Sequence, residues 1–376
     1  MIIYLDNMAA TPIDPRVVER HGLAMLSAPG NANSSEHAAG VQAKRELDEA
    51  AEALLHTLGS DAADVTFTPG ASPALWLAIE DTIARAGKRL PRIAATAVEH
   101  PALLSSLHRA ERDGRVHLTV LPVDGVGAPQ VEAIERALNN GVDLLCTMAV
   151  NNEVGTVTDL EAIGELVSRS GARHLIDASQ AAGRINMKHV VAADLVVVSG
   201  AKLYGPRRAG ALIGTLATSS AALAHDVFGS PDVPSAAALA FAAQLRVEES
   251  GDDEARLLLM RDALQAHLLD AVKGLRINGS PSQRLAGSLH VSTPHVPGDV
   301  AVSRLWGRVA VSTGAACQSG VPGPSHVLMA MGLSDWAREG AVRIGLGKMN
   351  TEQEVEEAGA LIAAALSSAE SVRRYA

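Results

Sequence analysis

A chain of 376 residues, 47% of them apolar, is long enough to bury one large α/β core with an appended second unit. A formal charge of −10 without a long basic run argues against direct binding of nucleic acid across the bulk surface. With only two cysteines, Cys146 and Cys317, a disulfide framework is excluded and a reducing compartment is expected. The opening Met-Ile-Ile-Tyr-Leu-Asp shows no secretory signal, and Gly, Pro or charge interrupts every apolar run short of a membrane span. The expectation is a cytoplasmic protein that meets no membrane. Aromatics make up only 2% of the chain, so the core must be built from Ala, Val and Leu.

In chain order, residues 1–13 are expected as a short extended arm ending in a Thr-Pro turn, and helical spacing runs from Pro15 to about Leu26. Residues 29–37 are too rich in turn formers to be regular. A long helix follows, with Val41, Leu47, Leu54, Leu55 and Leu58 on one face and Gly59 as its stop. Strands are then predicted at 65–68, 93–97, 116–123, 142–150, 173–176, 195–199 and 210–216, with helices between most of them. This alternation predicts an α/β fold with a mostly parallel central sheet flanked by helices. Residues 217–224 show no pattern, and 228–235, with two prolines, read as a loop. A helix from about 236 to 272 leads to a smaller α+β unit. That unit has strands at 288–292, 309–312 and 341–346, a loop at 314–324, helices at 299–306 and 325–331, and a last helix. The last helix opens on a Thr351/Glu354 capping box and carries apolar positions through Val372. The expected division is a large domain at 14–250 and a small one made of 1–13 and 251–376.

Five polar clusters fall just after strands: Pro69 to Ser72, His100, Asn151 to Glu153, Asp177 to Gln180, and Ser199 to Lys202. Sites in parallel sheets gather at that edge, so together they predict a pocket. Each cluster has a functional and a plain reading. Lys202, just past a buried strand, is either a desolvated amine able to form a Schiff base or a solvated turn lysine. Asp177 either pairs a heteroaromatic nitrogen or caps a helix. His100 either stacks on a flat ligand and moves protons or makes a local turn contact. Gly70, Ala71 and Ser72 either cradle a phosphate or only start a helix. Asn151 and Asn152 either cap a turn or bind a ligand. Cys146, in an apolar run, reads as a small buried hydrophobe. Cys317, in a small-residue loop rich in Gly and Pro, reads as a nucleophile. Arg343, in an apolar strand, needs an anionic partner, from the protein or from a ligand. No metal-ligand spacing stands out.

Taken in order, these motifs resemble the NifS/IscS-type cysteine desulfurases of the class-V aminotransferase family, which have the fold-type I architecture. The resemblance runs nearly end to end. It is carried by Tyr4-Leu5-Asp6-Asn7 with Ala10-Thr11-Pro12, Phe67-Thr68-Pro69-Gly70-Ala71-Ser72, Glu99-His100 and Val150-Asn151-Asn152-Glu153-Val154-Gly155. It continues through Ile176-Asp177-Ala178-Ser179-Gln180, Ser199-Gly200-Ala201-Lys202-Leu203-Tyr204-Gly205-Pro206, Gly314-Ala315-Ala316-Cys317 and Val342-Arg343-Ile344.

The resemblance implies a homodimeric enzyme with pyridoxal 5′-phosphate. Lys202 would hold the cofactor as a Schiff base and move the Cα proton. Asp177 would keep the pyridine nitrogen protonated, His100 would stack on the ring, and Gln180 and Asn152 would bind near its hydroxyl. Gly70 with Ala71, Ser72 and Ser199 would hold the phosphate. Arg343, with Asn152, would grip the carboxylate of L-cysteine. Cys317 would take the sulfur as a persulfide and pass it to an acceptor protein, leaving alanine. The acceptor could serve iron–sulfur clusters, tRNA, thiocofactors or DNA. Two departures stand out: Ala201 replaces the family's phosphate-binding histidine, and residues 226–234 are short where the family carries a Gly-rich segment reaching the partner subunit. The end at Ala376 lacks the tail of scaffold-binding members, which points to a specialised sulfur donor. A selenocysteine lyase, a related aminotransferase and a weakly catalytic sulfur-relay subunit are the alternatives.

Overall fold

Apolar runs bounded by turn residues become strands, and seven of them pair into one sheet. The structure, a computed structural model, describes residues 2–62, 64–314 and 324–367. The strands are β1 (Ile3–Tyr4), β2 (Val65–Thr68), β3 (Arg92–Thr96), β4 (His117–Leu121), β5 (Leu144–Met148) and β6 (Arg173–Asp177). They continue with β7 (Leu195–Ser199), β8 (Gly210–Ile213), β9 (Arg276–Asn278), β10 (Ser288–Ser292), β11 (Val309–Ala310) and β12 (Ala341–Gly345). The large sheet has the order β2-β8-β7-β6-β5-β3-β4. β7, β6, β5, β3 and β4 run parallel, and β8 is antiparallel to both its neighbours. β5 and β7 are buried at every position, as a sheet covered by helices on both faces requires. This is the α/β architecture expected from the alternating pattern. A smaller antiparallel sheet, β12-β10-β9, and a parallel pair, β1-β11, complete the strands among the described residues.

The scarcity of aromatics decides how the helices pack. The helix Val233–Ala271 buries Ala236, Ala237, Ala240 and Ala243 in one cluster with Ala50 and Leu54 of the helix Ala38–Leu58. Side chains this small let helix axes come close, because interaxial distance follows the size of the contact residues. Further along the same helix, Leu257, Met260, Leu264 and Leu268 join a different cluster. Its other members include Leu289 and Val291 of β10, Val342 and Ile344 of β12, and Ile362 of the helix Glu352–Leu366. One helix thus carries both cores. Between its two halves lies Arg246, 1% exposed, paired with Asp253 (3.1 Å) and with Glu254. Arg184 reaches the same Glu254 carboxylate at 3.4 Å. Gly183, at φ +64°, lies against Arg246, where a Cβ would come within 2.7 Å of its Cγ.

Residues 217–224, expected to be patternless, lie in the helix Thr218–Phe228. Five of its eleven residues are Ala or Ser, concentrated in its first turns, so it lacks the apolar contrast that marks a helical face. The expected loop at 228–235 is shorter, because Asp232 accepts from the Ser235 N–H (3.2 Å) and caps the next helix. Pro234 falls in the first turn of that helix, where its missing N–H costs nothing. Two short helices, Lys188–Val191 and Asp335–Glu339, and strand β9 had no sequence signal. The Thr351/Glu354 capping box forms with both bonds in place. Its helix is described to Leu366, so the expected continuation through Val372 lies outside the described residues. Among the described residues, no helix is long and apolar enough to cross a membrane, and no group of His, Cys, Asp or Glu could hold a metal ion.

Candidate active site

Parallel strands deliver their last residues to one edge of the sheet. β7 ends at Ser199, and a single 3₁₀ turn, Gly200–Lys202, follows. Glycine is required at 200, since a Cβ would lie 2.5 Å from the Pro206 carbonyl oxygen. Lys202 Nζ donates to the carbonyl oxygens of Met8 (2.8 Å) and Ala9. Thr11 fastens the turn: its N–H donates to Ala201 O (2.9 Å), and its Oγ1 accepts from the Tyr204 N–H (2.9 Å). Tyr204, at φ +57°, is the only non-glycine residue with positive φ among the described residues. Such a backbone persists only where its surroundings hold it, and here Tyr204 Oη also accepts from the Lys348 N–H at 2.7 Å.

Above this turn lies a cavity of ≈ 260 Å³. Gly70, Ala71, Ser72 and Ser199 line one part of it; His100, Asn152, Asp177, Gln180 and Lys202 line the rest. All nine residues proposed from the sequence for cofactor binding therefore meet in one place. Gly70 sits at φ +106° with open space where a Cβ would be, and no side chain caps the helix Ala71–Ala86 that it starts. First-turn N–H groups of that helix are left to face an anion. Asp177 Oδ1 accepts from the Ser179 N–H at 2.9 Å. Gln180 Nε2 donates to Met8 O (2.8 Å), while its Oε1 and the Ser179 Oγ are buried without a hydrogen-bond partner.

The His100 Nδ1 accepts from the Ala102 N–H at 3.1 Å, so a neutral ring carries its proton on Nε2. Burial pushes this imidazole below the ordinary histidine value, with Lys202 and Arg343 acting in the same direction and Asp177 opposing. Neighbouring Glu99 is wholly buried. Its Oε1 accepts from Thr96 Oγ1 (2.5 Å) and the Met148 N–H (2.8 Å), and its Oε2 has no partner. Burial, reinforced by the Asp177 charge, pushes the Glu99 carboxyl up to about 8.

Arg343 is fully buried and is not among the residues lining the cavity. Its Nη2 donates to Asp6 Oδ1 (3.0 Å) and its Nη1 to Asn152 O (3.2 Å). Of the two partners the sequence left open for it, the structure supplies the protein carboxylate. Cys317 lies outside the described residues. The residues on either side of 315–323 meet one group, however. Ser325 Oγ donates to Glu153 Oε2 at 2.5 Å, and a Cβ at Gly314 would lie 2.8 Å from the same oxygen. Burial raises the Glu153 carboxyl as well. Cys146 is buried in β5, as expected, and burial pushes its thiol up. Sequence reasoning missed Glu99 as a buried acid and Arg207 as a residue of the cavity wall. For Arg207 the signal was its place, five residues past the lysine beyond a Gly-Pro turn.

The chain matches the family model described as aminotransferase class-V over residues 3–357. It is 33% identical over 383 residues to a cysteine desulfurase IscS of Shewanella sp. (strain MR-4), covering 95% of this chain and 90% of that one. It is likewise 33% identical over 387 residues to a cysteine desulfurase IscS of Shewanella amazonensis, covering 96% and 91%. Among solved structures, a NifS-like protein superposes with a TM-score of 0.86 at 27% identity, covering 97% of this chain and 99% of the other. With its nine expected pocket residues gathered at the end of a class-V sheet, this chain belongs to the class-V aminotransferase family, among its NifS/IscS-type cysteine desulfurases.

Proposed function

We propose that this chain is an L-cysteine desulfurase that uses pyridoxal 5′-phosphate, works as a homodimer and hands sulfur to an acceptor protein. The reading rests on one observation: Lys202, Asp177, His100 and Gln180 share a cavity with the open first turn of the helix Ala71–Ala86. Class-V aminotransferases generally depend on pyridoxal phosphate. The residues fit that group: the Gln180 Oε1 and Ser179 Oγ lack partners, and Gly70 leaves open space beside uncapped N–H groups. When bound, this cofactor supplies an electron sink for charge released at the substrate Cα.

The chain's own residues do the rest. Ser72, Ser199 and the Ala71 N–H would hold the phosphate. The Asp177 carboxylate would hold a proton on the ring nitrogen. Glu99, neutral at physiological pH, leaves the negative field there to Asp177. His100 would stack on the ring, with its Nε2 proton available. Lys202, now held by the Met8 and Ala9 carbonyls, would anchor the cofactor and move the substrate Cα proton. Arg343 with Asn152 receives the substrate carboxylate, in exchange for Asp6. The Cys317 thiolate attacks the substrate sulfur: a sulfur–sulfur bond forms as the carbon–sulfur bond breaks. The electron pair stays on carbon and is protonated, giving alanine and a persulfide. On the same reading the chain divides into a large unit at 14–250 and a small one made of 1–13 and 251–376, in line with the two clusters on the long helix.

The test is release of sulfide and alanine from L-cysteine plus a thiol reductant, by wild type and Cys317→Ala, both loaded with cofactor. Release by wild type alone is expected. Equal release by both would move the chemistry to a lyase that does not need the thiol. Release by neither, with cofactor bound, would overturn the reading.

A further inference from the structure

Any phosphate held at Gly70, Ala71 and Ser72 brings negative charge to a place where position 201 offers only a methyl group. Three segments converge there. Gly210 is the register partner of both Thr68 in β2 and Ser199 in β7. A Cβ at Gly210 would lie 2.5 Å from the Gly70 carbonyl carbon, so the 206–210 return presses directly on the phosphate cradle. The Gly200 N–H donates to Ala209 O at 2.8 Å, tying the return to the lysine turn. Arg207 lies on this return and lines the same cavity as Gly70, Ser72 and Ser199. The neighbouring Arg208 instead lines a separate cavity, with Lys44, Asp48 and His225.

Among the described residues, Arg207 takes part in no hydrogen bond or ion pair, and its side chain is exposed. The other cavity cation, Lys202, is engaged by Met8 and Ala9 and is committed to the cofactor's carbonyl end. A guanidinium presents five N–H donors in a planar fork that matches phosphate oxygens.

We propose that Arg207 binds the phosphate of the cofactor and supplies the positive charge that Ala201 does not. The proposal rests on the cofactor reading above, and its test separates the two. Apoprotein is titrated with pyridoxal 5′-phosphate and with pyridoxal, which lacks the phosphate, and binding is followed by absorbance. Wild type, Arg207→Ala, Arg207→Lys and, as a charge control, Arg208→Ala are compared at two salt concentrations. Arg207→Ala is expected to weaken pyridoxal 5′-phosphate binding about tenfold, as for one partly screened charge-assisted hydrogen bond, and to leave pyridoxal unchanged. Arg207→Lys should recover part of the loss, Arg208→Ala should lose little, and the salt dependence should be shallower in Arg207→Ala than in wild type. Equal loss for both ligands, or no loss in Arg207→Ala, would overturn the role of Arg207 alone. Binding of neither ligand by wild type would overturn the cofactor reading together with it.

Discussion

Replacing Glu99 by glutamine should stabilise this protein, increasingly so as pH rises. The Glu99 carboxyl lies between β3 and β5 with two donors on Oε1 and none on Oε2. Burial raises it from the ordinary 4.5 to about 8. In the fold it is therefore protonated at neutral pH, while in the unfolded chain it is ionised. Between about 4.5 and about 8, folding takes up one proton, so wild-type stability falls as pH rises by about 1.4 kcal/mol per pH unit. Across that window the cost sums to about 5 kcal/mol, an upper bound because water entry and relaxation soften a buried charge. The Glu99→Gln side chain keeps an acceptor for Thr96 and Met148 and cannot ionise. Urea unfolding of both apoproteins from about pH 5 to about pH 8 reads the difference. The expected result is near equality at the acid end and a gap of about 3–5 kcal/mol favouring the variant at the alkaline end. Parallel profiles would mean that Glu99 is ionised in the fold, and the assignment of the local negative field to Asp177 alone would fail.

Arg246→Ala should cost about 2–3 kcal/mol in the same unfolding assay, because it removes the fully buried partner of Asp253 and Glu254 and leaves them only the longer contacts to Arg256 (3.5 Å) and Arg184 (3.4 Å). A loss below about 1 kcal/mol would place that network among surface pairs. Gly210→Ala should lower kcat/KM for L-cysteine about a hundredfold, since the added Cβ meets Gly70 backbone that has no flexible end to yield and shifts the cradle. Activity close to wild type would show that the cradle tolerates movement.

The pocket was legible because each of its main residues follows a short apolar strand, and in a parallel sheet all such ends face one way. The single turn at Gly200–Lys202 and the Pro101 start behind His100 are local chemistry, visible within a few residues. What stayed hidden depends on distant partners. Arg343 advertised its need for an anion, yet Asp6 is 337 positions away in the chain. Glu99 looks like an ordinary turn carboxylate until β5 closes over it. Arg207 enters the cavity only because Gly210 packs on Gly70, a contact between segments far apart in sequence. The helix Thr218–Phe228 was lost to composition, since Ala and Ser give its faces little contrast.

The first dozen residues close the lysine site from outside the sheet. Leu5 is bonded to Ala310 and Gly345, Met8 and Ala9 hold Lys202, Met8 also holds Gln180, and Thr11 ties Ala201 to Tyr204. Every one of these partners lies later in the chain than residues 5–11, the furthest being Gly345 in β12. Domains usually condense as their sequence emerges, amino end first. The Leu5 end of this segment therefore settles only once β11 and β12 are in place, whereas Met8, Ala9 and Thr11 need nothing beyond Tyr204 to close on the lysine turn.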